Sequence, residues 1–170
     1  MVDLVTLEKS LPLTITRAAG VFGGAFFAFL TTFWFGLLLG VSFLATPVKF
    51  RAPSLELSVA LDVGRVTFAL FSKVELGLCL ILLLFLPVIR AGAVRALTVT
   101  SVVAIVLVEA FWLLPVLDAR VGEIMAGATV PETSHHLWYI VAEIVQAVLL
   151  LGLAIDALLR LAETAVPERA

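Results

Sequence analysis

The chain has 170 residues, 62% of them hydrophobic and only 14% charged, with a formal net charge of −2 and a mean hydropathy of +1.19. Soluble domains are about half apolar and about a quarter charged, and a chain this short leaves much of its surface outside, so a soluble globular protein is excluded, as are disorder and a disulfide scaffold. The slight negative charge also excludes the basic footprint of a nucleic-acid binder, which leaves an integral membrane protein.

Residues 1–17 are more polar than the run after them, with Leu4, Leu7 and Leu11 at helical spacing beside Glu8 and Lys9. They suggest an interfacial segment rather than a signal peptide, because the next apolar run far exceeds a 7–15-residue signal core. That run has no charge from Ala18 to Val48 and predicts a first span over 19–45, ending at Thr46-Pro47 because proline interrupts a helix interior. It contains two Gly-x-x-x-Gly pairs, Gly20/Gly24 and Gly36/Gly40, which would allow close helix approach. Phe22, Phe26, Phe27, Phe29, Phe33, Phe35 and Trp34 read as lipid-facing or packing residues.

The second span is expected over 63–89, interrupted by Arg65, Lys73 and Glu75; its Cys79 is alone in the chain and reads as a small buried hydrophobe. A short Arg90–Arg95 turn makes the third span, 96–116, its antiparallel neighbour. The fourth span is expected over 136–159. The fold class is therefore all-α: an antiparallel four-helix membrane bundle forming a single domain, with both termini on one side. That side carries Lys9, Arg17, Arg90, Arg95, Arg160 and Arg169, against Lys49, Arg51, Arg65 and Arg120 opposite. The positive-inside rule makes it cytoplasmic. The two hairpins are not similar enough in sequence to establish an internal repeat.

Ionisable groups inside a membrane are expensive and point to function. Glu75, Glu109 and Glu143 all lie at a depth of about 10–18 Å from the predicted outer face, counting the helical rise per residue. On the fourth span His136, Tyr139, Glu143 and Gln146 share one helical face. A stripe of that kind either seams helices together or carries protons and ligands. The candidate ligand or proton-relay residues are Glu75, Glu109, His136, Tyr139 and Glu143. Glu75, Glu109, His136 and Glu143 could hold a hard or borderline metal, although no motif demands one. Arg65, Lys73, Asp118 and Arg120 would tune the charge: Asp62 and Arg65 are spaced to pair, Lys73 is expected to meet an acid from another span, and Asp118 and Arg120 would cap or tether their loop against Arg65. Glu132-Thr133-Ser134-His135 has Glu-x-x-His spacing but precedes its span and occurs once, so Glu132 is better read as serving the helix start.

The run Gly40-Val41-Ser42-Phe43-Leu44-Ala45-Thr46-Pro47-Val48-Lys49-Phe50, with Gly64-Arg65-Val66-Thr67-Phe68 after it, resembles small four-pass bacterial proteins related to the human transmembrane protein implicated in platinum-drug resistance. The resemblance covers residues 20–160 and implies a helical bundle and metal or solute export. With one Cys and two Met, the chain departs from the sulfur richness that soft-metal export would use. Three functions remain in competition. The first is a site for a small solute, proton or metal ion within the bundle. The second is an accessory subunit of a homo-oligomer or larger membrane complex, its polar residues only locking helices. The third is a membrane enzyme using His136 and Glu143 as an acid/base pair on a lipid-soluble substrate.

Overall fold

A computed structural model describes the backbone of residues 4–89 and 91–165 and the side-chain surroundings of residues 19–89 and 91–164. Every regular element among them is helical. Four helices are long and apolar enough to cross a membrane: Ala19–Lys49, Leu57–Phe85, Ala93–Met125 and His135–Thr164. Backbone polar groups in hydrocarbon must be satisfied within the chain, which makes continuous helix the natural state of these runs. The helix Leu4–Leu38 enters the first span without a break, so residues 4–17 are helical and continuous with it. The helices also overrun the expected limits, because charged residues such as Lys49 and Asp118 end the apolar run without ending the helix.

Pro47 does not terminate the first span. Leu39–Ala45 is π-helical, and a short α-helical turn, Thr46–Lys49, comes after it. The third span repeats the device, with π-helical Glu109–Leu113 preceding Leu114–Met125 and Pro115 in its first turn. A proline lacks the N–H and crowds the carbonyl four residues back; a wider turn just before it relieves both problems. In the first span the Thr46 hydroxyl donates to the Val41 carbonyl at 2.8 Å, and the Thr46 N–H points to the same oxygen. At the end of the third span Gly127 takes φ of +82°, a left-handed helix stop that suits glycine.

The four spans form a ring. The first packs against the second and fourth, and the third packs against the same two. Phe27, Trp34, Leu38, Leu82, Val102 and Leu150 are fully enclosed in its core, whereas Phe22, Phe29, Leu70, Leu84, Phe111 and Val148 point outward. A contiguous apolar exterior around an apolar core is the surface a bilayer covers. Of the expected glycine contacts only Gly24 makes one, against Leu161. Space is open where a Cβ would stand at Gly20, Gly36 and Gly40, and the tighter approach is at Gly23, against Val88.

Ion pairs close both ends of the ring. Arg95, packed over the Phe27 ring, donates to Asp156 through Nε at 2.9 Å, and Arg160 reaches the other oxygen of Asp156 at 2.9 Å. At the opposite end Arg65 pairs with Asp62 at 3.2 Å and with Asp118 at 3.5 Å, and Arg120 donates to the Pro131 carbonyl at 2.7 Å. The loop tether expected of Asp118 and Arg120 is therefore present, with the two residues acting on different partners.

A carboxyl cluster enclosed by the four spans

Three glutamates meet inside the ring. Glu75 on the second span, Glu109 on the third and Glu143 on the fourth are 2%, 3% and 2% exposed, and each lies within electrostatic reach of the others. Helical period explains why Glu75 and Glu143 turn inward: Phe71, Glu75, Leu78 and Leu82 share one buried face, as do Tyr139, Glu143, Gln146 and Leu150. Glu109 opens the π-helical segment of its span, and local widening of this kind frequently accompanies functional sites.

The three carboxyls have different surroundings. Oε1 of Glu75 accepts from the Trp34 indole N–H at 3.0 Å and from the Gln146 amide at 2.6 Å. Neither oxygen of Glu109 has a hydrogen-bond partner. The Tyr139 hydroxyl and Ser42 lie beside Glu143, yet no hydrogen bond of ordinary geometry reaches either of its oxygens. The carbonyl oxygen of Gln146, 0% exposed, is also unpartnered. Buried polar groups are normally paired, and a buried carboxyl is more demanding than most. Acceptors outnumber donors in this pocket. Balance requires protons on the carboxyls themselves or a guest that brings donors or positive charge.

The remaining candidates lie outside the cluster. His136 is exposed although it shares the face of Tyr139, Glu143 and Gln146, because it stands in the first turn of a helix that begins at His135, where that face is not covered. His135 turns partly inward instead and meets the Trp112 ring edge-on at 6.2 Å between centroids. Lys73 points outward and makes no ion pair among the described residues, so the expected acid partner from another span is not there. It stands two positions before Glu75, which places it on a different face of the same helix. Arg65, Asp118 and Arg120 sit at the end of the ring and touch none of the three glutamates. Cys79 is buried and free, one turn beyond Glu75. Among the described residues no group of three His, Cys, Asp or Glu side chains is placed to hold a metal ion.

Sequence reasoning missed Trp34 and Ser42 as members of the site. Trp34 carried a usable signal, since an indole N–H deep in an apolar run needs an acceptor. An aromatic lining continues outward from Glu143: Tyr139 packs edge-on to Phe68 with centroids 5.5 Å apart, and the Lys49 ammonium stands 5.9 Å above Phe68. Lys49 also lies over Gly64, where a Cβ would collide with its Nζ. Two stretches of the motif noted in the sequence, around Lys49 and around Gly64 to Phe68, therefore converge beside the cluster. Comparison with protein-family models, curated proteins and solved structures finds no match.

Proposed function

We propose that this integral membrane protein moves a proton or a small cationic solute through the interior of its helix ring, with Glu109 and Glu143 as the carriers. The observation behind this reading is that four carboxylate oxygens are enclosed there and none of them receives a hydrogen bond of ordinary geometry. A proton satisfies them outright; a small ammonium-type cation would bring both charge and N–H donors. A transition-metal centre fits less well, since three suitably disposed ligands are wanting among the described residues. The resemblance to four-pass export proteins agrees with solute movement. The bias of lysine and arginine between the two ends puts the termini in the cytoplasm, and the resemblance to bacterial four-pass proteins implies a bacterial inner membrane. The enzyme reading loses its leading pair, because His136 is exposed and apart from Glu143.

The test is proton flux in sealed vesicles holding the purified chain and an internal pH dye, driven by an imposed potential. Wild type should exceed empty vesicles, and Glu143→Gln, which keeps shape and removes the ionisable group, should lower the flux at least about tenfold, or about 1.4 kcal/mol in barrier. Equal flux in the two proteins would overturn the reading. One observation favours a second reading, that of an accessory subunit. Lys73 faces outward from the apolar belt, where an acidic group on a partner's membrane helix would neutralise it. A partner that co-purifies with wild type at fixed stoichiometry, and is lost in Lys73→Leu, would support that role.

A further inference from the structure

A single shift of 68 residues carries the first hairpin onto the second. Phe43, Pro47 and Val48 fall on Phe111, Pro115 and Val116, Glu75 falls on Glu143, and Leu82-Leu83 falls on Leu150-Leu151. Sequence identity this sparse carries little alone, but three structural observations obey the same shift. Both prolines are preceded by a π-helical segment, Leu39–Ala45 in one hairpin and Glu109–Leu113 in the other. Burial coincides in the middle of the spans, though not toward their ends: Trp34 and Leu38 correspond to Val102 and Val106, and Phe71, Glu75, Leu78 and Cys79 to Tyr139, Glu143, Gln146 and Ala147, all buried. The packing obeys the same exchange, because swapping first with third and second with fourth leaves the neighbours in the ring unchanged.

We infer that the chain is a tandem duplication of one helical hairpin about a pseudo-twofold axis along the ring, and that cation binding has been assigned to the second copy, at Glu143 and Glu109. Parallel repeats about such an axis are an established way of building transporters. The assignment rests on how the two copies differ. Glu75 is held by donors from Trp34 and Gln146. Carried through the same exchange, the donors for Glu143 would come from positions 102 and 78, which are Val102 and Leu78 and can donate nothing. The second copy also adds an acid, since Glu109 stands where the first copy has Val41. One glutamate of the related pair is therefore locked by hydrogen bonds and positions the site. The other, Glu143, has only the Tyr139 and Ser42 hydroxyls beside it, neither in hydrogen-bond geometry, and lies within electrostatic reach of Glu109, whose oxygens are also unpartnered. Two unpartnered carboxyls in that state suit protonation or one monovalent cation. The inference rests on the proton or cation reading above and divides its labour between the repeats.

Dicyclohexylcarbodiimide, an apolar reagent that attacks protonated carboxyls, distinguishes the two copies when applied to the full chain in vesicles, with the adduct located by peptide mass mapping. Glu143 or Glu109 should carry at least about ten times more adduct than Glu75. Leu78→Gln, which supplies the missing donor, should cut labelling of Glu143 several-fold without touching Glu109. Glu109→Val, which restores the residue type of the first copy, should raise the melting temperature and lower labelling of Glu143. Equal labelling of Glu75 and Glu143, or labelling of Glu143 unaffected by Leu78→Gln, would overturn the division of labour even if vesicles still conduct protons. Absence of adduct on all three glutamates would overturn it together with the proton reading.

Discussion

The two hairpins share a skeleton and differ in polar content. In the first, the interior position before the proline is Val41, and the single glutamate is tied down by an indole and an amide. In the second, that position is Glu109 and the equivalent glutamate has no hydrogen-bond partner. Backbone geometry and burial are therefore set by apolar packing, common to both copies. The state of each carboxyl is set by two or three side chains that packing does not specify.

The largest expected effect probes the locked half. Trp34→Ala removes a fully buried ring and a donor to Glu75, and should cost about 3–5 kcal/mol, whereas Val102→Ala at the equivalent position should cost far less. Thermal unfolding in detergent measures both, and equal losses would break the comparison. Next, Glu109→Val removes a buried acid without a partner, so it should raise stability by about 1–3 kcal/mol while abolishing proton flux. A loss of stability would mean that Glu109 is paired in the folded protein.

The two ends of the ring should respond unequally. Arg95 is only 12% exposed in its pair with Asp156, so Arg95→Ala should cost about 1.5–3 kcal/mol, as expected for hydrogen bonds to charged groups. Arg65 is 38% exposed and its partners more so, and Arg65→Ala should cost under about 1 kcal/mol and lose that effect in high salt. Smallest of all, His136→Ala should leave both melting temperature and flux unchanged. A flux deficit in that variant would return His136 to the site.

Much of this is legible in the chain. Apolar runs locate four spans, and the spacing of Tyr139, Glu143 and Gln146 marks the inward face of the fourth. The Asp62–Arg65 pair is expected from i, i+3 spacing. Expectation and structure part where a helix face has to be chosen near a helix end or beside an acid. Spacing rightly groups His136 with the stripe, but in the first turn of the span that face is not covered and His136 is exposed. A lone charge seeks an opposite partner, which argues for Lys73 turning inward, but its position is dictated by Glu75 two residues on, which takes the buried face. Pro47 reads as an end because the wider turn that accommodates it leaves no mark in composition. The repeat is hidden because apolar positions accept almost any apolar residue, so few identities survive and only Glu75/Glu143 and Leu82/Leu150 among those named lie in the interior.

The amino-acid sequence by itself determined that the chain lies in a membrane, that it crosses four times as helix, and that three carboxyls sit at similar depth. Backbone in hydrocarbon has no other way to satisfy its hydrogen bonds, and depth comes from counting residues along a rigid rise. Only the tertiary structure decided which carboxyl is satisfied. The donors to Glu75 come from Trp34 and Gln146, 41 and 71 residues away on other helices. Contacts at that separation depend on how each helix is rotated in the ring, which the packing of all four spans settles together.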